Sequence, residues 1–202
     1  MAKRTRIYTR AGDKGETGLV GGQRVGKDSP RIRSFGDVDE CSSAIGLARS
    51  AIRTALRENL RLETVDAWLA WTQDMLFNLG SDLATVPSER RANIPRVSQG
   101  DIDALESAID KAQEQLPPLD AFIHPGGTLP AGFIHLARAV CRRAERSIVD
   151  LARSEPVDPL VIAYINRLSD ALFAWARLVN YELGEDEHRW NPESRPPGAA
   201  GS

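Results

Sequence analysis

The sequence predicts an all-α fold: an up-and-down five-helix bundle preceded by an extended N-terminal loop arm. Three observations carry that expectation. Five long segments place apolar residues at helical spacing, no segment shows convincing strand alternation, and Pro- or Gly-containing breaks separate consecutive segments. Amphipathic helices of this length must bury their apolar stripes against one another, and 202 residues suffice for one domain with a sizeable core.

Residues 1–36 are rich in Gly, Arg and Thr and lack helical periodicity, so they are expected to form a loop arm belonging to the same domain. The helical bundle is expected over residues 37–189. It opens at Asp37-Val-Asp-Glu40, an acidic first turn favoured by the helix dipole, and continues with Ile45, Leu47, Ile52 and Leu56. A second helix runs from about Leu62 to Ala84 and buries Val65, Leu69, Met75, Leu76, Leu79 and Leu83. Pro87 and Pro95 mark the connection that follows. Ser98-x-x-Asp101 resembles a capping box and opens a third helix carrying Ile102, Leu105, Ile109, Ala112 and Leu116. Pro117-Pro118 stops it. Pro125-Gly126-Gly127 cannot lie within a helix, so residues 122–130 form a second irregular region. The fourth helix spans about Ala131 to Arg153. The fifth spans about Pro159 to Leu183, with a core stripe of Leu160, Tyr164, Leu168, Leu172, Trp175 and Val179. Residues 190–202, from Trp190 onward, are expected to be a flexible tail.

Bulk properties exclude several classes. A net charge of -2 gives no global basic field for nucleic acid, so no nucleic-acid partner is expected. No apolar run follows the basic start and none approaches a membrane span, so neither a signal peptide nor a membrane partner is expected. Cys41 and Cys141 have no CxxC spacing, which favours a reduced, cytoplasmic protein over a disulfide or zinc scaffold.

Two patches carry chemistry. In the arm, Thr9, Arg10, Lys14, Thr17, Arg24 and Lys27 combine hydroxyls, cations and Gly-rich backbone, a set suited to a polyphosphate. It is not a Walker A motif, for no Gly-Lys-Ser/Thr follows at the required spacing, and no βαβ unit surrounds it. In the fourth helix, 100° per residue puts Arg138, Arg142 and Glu145 on one narrow face, with Ile134, Ala137, Cys141, Ala144 and Ile148 on another. Two arginines one turn apart repel by a few tenths of a kcal/mol, so an anion or an acid is expected between them. A surface arginine paired with Glu145 or with an acid of the first helix satisfies the same pattern. Asn166, Asp170, Phe173, Arg177 and Asn180 form a polar stripe on the fifth helix that fits either a site or a solvated face. His124, His135 and His188 have no metal-ligand spacing; no metal-binding residue and no nucleophilic triad is predicted. The residues alone therefore point to nucleotide chemistry. They leave open a kinase or nucleotidyltransferase using Asp37, Asp39 or Glu40, and a non-catalytic helical adaptor or sensor.

Five ordered segments narrow this. Ile7-Tyr-Thr-Arg-x-Gly-Asp-Lys-Gly-x-Thr17, Gly36-Asp-Val-Asp-Glu40, Phe122-x-x-Pro-Gly-Gly127, Arg138-x-x-x-Arg-Arg-x-Glu-Arg146 and Asn166-Arg-Leu-Ser-Asp170 resemble the PduO-type ATP:cob(I)alamin adenosyltransferases, across about residues 5–190. The resemblance implies a homotrimeric five-helix bundle with nucleotide sites between adjacent subunits. It implies transfer of the 5′-deoxyadenosyl group of ATP to the Co(I) centre of cobalamin or cob(I)yrinic acid a,c-diamide, releasing triphosphate, with Mg²⁺ on the phosphates. ATP would be held by Thr9, Arg10, Ala11, Gly12, Thr17, Gly18 and Lys27, and from the neighbouring subunit by Arg142, Arg143, Ala144, Glu145, Arg146 and Asn166. Arg138 would be the active-site arginine paired with an acid of the first helix, most simply Asp39. Phe122 would cap the lower face of the corrin and exclude water and the dimethylbenzimidazole tail. A flavin or flavoprotein reductase and an adenosylcobalamin-dependent acceptor enzyme are the implied partners. His124 and Cys41 stand where the family has an aliphatic residue and Leu; neither coincides with an implied ATP contact.

Overall fold

The computed structural model describes residues 7–56, 59–86, 88 and 95–197. Met1–Arg6, Pro87 and the end of the tail, 198–202, lie outside the described residues. Among the described residues five long helices make up the fold: α1 (Pro30–Ala55), α2 (Glu63–Ala84), α3 (Gln99–Gln113), α4 (Leu129–Ala152) and α5 (Pro159–Glu182). Cross-helix contacts fix their directions. Arg31 reaches Leu83 while Arg49 reaches Asp66, so α1 and α2 are antiparallel. Ser34 bonds Ser147 and Cys41 bonds Ala137, which runs α4 against α1. Asn166 meets Glu145 and Thr128 meets Asn180, which runs α5 against α4. Glu106 with Arg167, and Pro117 with Arg177, set α3 parallel to α5 on the outer side. This is the expected up-and-down arrangement.

Three helices start with Pro at the first turn behind a side-chain cap: Ser29 before α1, Thr128 before α4 and Asp158 before α5. The Ser98–Asp101 capping box opens α3 as predicted. Trp175, Tyr164, Ile45, Leu69 and Leu79 are among the largest fully buried side chains, and Trp68 stacks on Trp175 with ring centroids 6.1 Å apart. Among the described residues no helix is long and apolar enough to cross a membrane.

The structure corrects the sequence pattern in four places. First, α1 begins at Pro30 and not at Asp37, so the loop arm ends before residue 36. Its first turns are masked in the sequence because polar residues face inward: Arg31, only 2 % exposed, donates to the Leu83 carbonyl at 2.6 Å and to Glu155 at 2.8 Å. Second, the arm contains strands. β1 (Glu16–Gly18) pairs antiparallel with β2 (Arg24–Gly26), and three residues are too few to display alternation. Third, Leu47 points outward rather than into the core. Fourth, Trp190, the expected start of a flexible tail, is tied down: its N–H donates to the Phe122 carbonyl at 2.7 Å.

The irregular loop before α4 is held from below. Asn180, buried on α5, accepts from the Thr128 N–H and hydroxyl, both at 2.9 Å, and donates to the Gly126 carbonyl at 2.9 Å. Gly127, at φ 97°, lets the backbone approach that amide; a Cβ there would lie 2.4 Å from Asn180 Nδ2.

Candidate active site

A cavity of about 780 Å³ opens between α3, α4, α5 and the segment after α3. Leu116, Leu119, Ile123 and Phe173 give it apolar walls; Arg138, Arg142, Arg167 and Arg177 give it cations. Phe122 stands at this cavity with 79 % of its surface exposed. An unburied phenyl ring contributes little to the core.

The arginines are not equivalent. Arg138 has a buried Nε without a hydrogen-bond partner, and its guanidinium lies 5.7 Å from the centre of the Phe173 ring. Burial, and then the Arg142 cation one turn away, both work against its charge. Arg142 and Arg146 are exposed and form no ion pair among the described residues. Arg143 is engaged: it pairs with Asp37 at 3.8 Å and with Glu40, and these carboxylates strengthen its hold on the proton. Glu145 accepts a hydrogen bond from Asn166 Nδ2 at 2.9 Å, so those two motif residues do meet across α4 and α5. Ala144 is fully buried in the core and offers no side-chain surface to a ligand.

The predicted Arg138–Asp39 pair is absent within one chain. Asp39 faces a different groove, with Phe35, Phe77 and Gly80 between α1 and α2, whereas Asp37 and Glu40 are the acids that reach α4. The helical period explains the swap, since residues 37 and 40 share a face that residue 39 does not.

The arm forms a second cluster. Thr9 Oγ1 accepts from the Ala11 N–H at 3.4 Å, and Arg24 donates to the Ala11 carbonyl at 2.7 Å while pairing with Glu16 at 3.3 Å. Arg10 adopts φ 59°, a left-handed conformation unusual for Arg. A Cβ on Gly12 would lie 3.1 Å from Lys27 Nζ, so Lys27, Gly12, Thr17 and Gly18 all belong to the hairpin cradle. Val20 N–H donates to the Ala84 carbonyl at 3.0 Å, docking this hairpin on the end of α2. No hydrogen bond or ion pair among the described residues joins the arm to Arg142–Arg146. One chain thus carries two separate clusters.

Arg177 and Asn180, members of the α5 stripe that fits either a site or a solvated face, serve the fold. Arg177 is 5 % exposed and binds Glu187 and the Pro117 carbonyl, and Asn180 binds the loop described above. The sequence pattern missed Arg167, held by Glu106 and Asp170 at the cavity. Among the described residues no cluster of three His, Cys, Asp or Glu side chains could hold a metal ion.

His135, 4 % exposed, packs against Phe173 and has no partner on either ring nitrogen. Burial first and the Arg138 cation second push its pKa down to about 4, with Glu187 opposing. Its unfolded value is near 6.5, so between pH 6.5 and 4 the unfolded chain binds the proton and the folded one does not. This histidine therefore costs stability as pH falls through that window, and the penalty is constant below it. His135→Phe is expected to lose about 2 kcal/mol less stability than the unsubstituted protein between pH 7 and pH 5, read from denaturant midpoints. Identical pH slopes would contradict the assignment.

Comparison with known proteins decides the family. The family model described as cobalamin adenosyltransferase matches residues 7–179. The chain belongs to the cobalamin adenosyltransferase family. It is 44% identical over 179 residues to the corrinoid adenosyltransferase of Bacillus subtilis (strain 168), covering 89% of each chain. It is 42% identical to the cobalamin adenosyltransferase of Cupriavidus metallidurans, covering 94% of this chain and 96% of that one. A variant PduO-type ATP:corrinoid adenosyltransferase from Lactobacillus reuteri, solved in complex with cobalamin and ATP, superposes with a TM-score of 0.85 at 36% identity. It covers 93% of this chain and 97% of the other.

Proposed function

We propose that this adenosyltransferase moves the 5′-deoxyadenosyl group of ATP to the Co(I) centre of a reduced corrinoid, in a site completed by two copies of the chain in a homotrimer. One observation carries the reading. Arg138, Arg142 and Arg146 are cations on one helix without an acid partner among the described residues, the first two lining a cavity that bears an exposed phenyl ring, while the Gly-rich cradle lies elsewhere on the same chain. The unpaired, partly buried Arg138 calls for an anion or a partner's carboxylate, and the exposed Arg142 and Arg146 extend the same cationic face. In a trimer the exposed Asp39 of a second copy is available to Arg138, and the second copy's arm is available to Arg142 and Arg146.

The chain's own residues would act as follows. The arm N–H groups, Thr17 and Lys27 hold the nucleotide phosphates from one copy. Arg142 and Arg146 face them from the other and stabilise the charge that grows on the departing triphosphate. Glu145 and Asn166, already bonded to each other, complete that wall. Mg²⁺ would arrive on the triphosphate oxygens and screen their charge. Phe122 excludes water and axial ligands from the lower corrin face. The Co(I) electron pair forms the Co–C5′ bond while the C5′–O bond breaks and triphosphate departs with that bonding pair. No side-chain nucleophile is needed. The corrinoid must be supplied reduced, by a flavin or flavoprotein reductase, and the product passes to an adenosylcobalamin-dependent enzyme. Free, buried Cys41 and Cys141 are compatible with a reducing cytoplasmic setting.

The test is an anaerobic incubation with ATP and chemically reduced cobalamin. A light-sensitive Co–C product together with triphosphate is expected. ADP or pyrophosphate would support a kinase or nucleotidyltransferase, and a bound corrinoid without product would support a sensor.

A further inference from the structure

The segment Glu187–Trp190 is held to the fold at both ends. At one end Glu187 accepts from Arg177 Nε at 2.5 Å and from Nη2 at 3.2 Å, and Arg177 also donates to the Pro117 carbonyl at 3.0 Å. A buried arginine committed in this way is a fixed anchor. At the other end the segment runs antiparallel along the Phe122 loop through a single bridge. His124 N–H donates to the His188 carbonyl at 2.7 Å, Ile123 and Arg189 form an antiparallel bridge, and Trp190 N–H donates to the Phe122 carbonyl at 2.7 Å. The Trp190 ring then meets the Phe122 ring edge-on, with centroids 6.2 Å apart and planes at 76°. Trp190 is itself 52 % exposed and does not line the cavity.

An exposed phenyl on a loop samples several rotamers unless something selects one. We infer that Trp190 is a positioning residue for Phe122, delivered by the Glu187–Arg177 latch, so that the segment following α5 sets the aromatic cap of the cavity. The inference rests on the reading of Phe122 as the group facing the corrin. An edge-to-face aromatic contact biases one rotamer over others by roughly fivefold.

The experiment uses the full chain with cob(II)alamin and ATP, and electron paramagnetic resonance to measure the fraction of four-coordinate, base-off Co(II). Turnover and the KM for ATP are measured in parallel. Trp190→Ala is expected to lower that fraction and kcat about fivefold with an unchanged KM for ATP, and Trp190→Phe to keep most of both. Phe122→Ala serves as the reference. If Trp190→Ala matches the unsubstituted protein while Phe122→Ala loses the Co(II) signal, the inference fails and the reading of Phe122 stands. Should Phe122→Ala itself keep the signal, that reading fails and the inference with it. If Trp190→Ala also weakens ATP binding, or Trp190→Phe is as defective as Trp190→Ala, the residue merely supports the fold and the inference is overturned.

Discussion

Phe122→Ala is expected to lower turnover about 30-fold while leaving the affinity for ATP and the melting temperature unchanged. Burial of a phenyl ring against a ligand is worth about 2 kcal/mol, and as a barrier difference that amount is a factor of about 30. The ring is 79 % exposed in the chain, so its removal opens no core cavity and costs little folding stability. ATP affinity is expected to be spared because no hydrogen bond, ion pair or ring contact among the described residues joins the Phe122 side chain to the groups proposed to hold the nucleotide, in the arm and on α4. Steady-state kinetics over both substrates, with nucleotide binding measured separately, distinguish the outcomes. Equal losses in ATP affinity and turnover would remove Phe122 from the corrin face.

Arg142→Ala is expected to lower kcat/KM on the order of 10²–10³-fold, the usual consequence of removing one preorganised group from the stabilisation of a developing anion. The neighbouring substitution is the control. Arg143→Ala breaks ion pairs with Asp37 and Glu40, so its effect falls on the α1–α4 contact. It is expected to change stability by no more than about 1 kcal/mol, because both side chains of the Glu40 pair are largely exposed. Its effect on kcat/KM should be well below that of Arg142→Ala. Equal kinetic losses at the two positions would mean that proximity in sequence, and not the free guanidinium, decides the phenotype.

The helices were legible because each runs for at least four turns, long enough for the 3.6-residue period to emerge. The first turns of α1 were hidden by inward-facing polar residues. Arg31 and Ser34 are buried through partners on α2, on α4 and beyond α4, and a period count cannot see such partners. The motif residues were legible as a set, but their division of labour was not. Arg142 and Arg143 differ by 100° around one helix, and only the positions of Asp37 and Glu40 tell which is already neutralised. The polar stripe of α5 was equally ambiguous. Arg177 belongs to it by spacing, yet its partner Glu187 comes from beyond the end of the helix, so what looked like a ligand group is an internal anchor. Asp39 was paired with Arg138 through the family resemblance, and the fold of one chain keeps the two apart on separate grooves.

That separation leads to the central claim, a site built from the arm of one copy and α4 of another. Complementation between two inactive variants tests it most directly. Lys27→Ala disables the cradle and Arg142→Ala disables the facing helix. If the two are unfolded together and reassembled in equal amounts, a head-to-tail trimer leaves about a quarter of the sites with both groups intact, and about a quarter of full activity is expected to return. Activity no higher than that of either variant alone, in assemblies verified to be mixed, would place both groups in one chain's site and contradict the account.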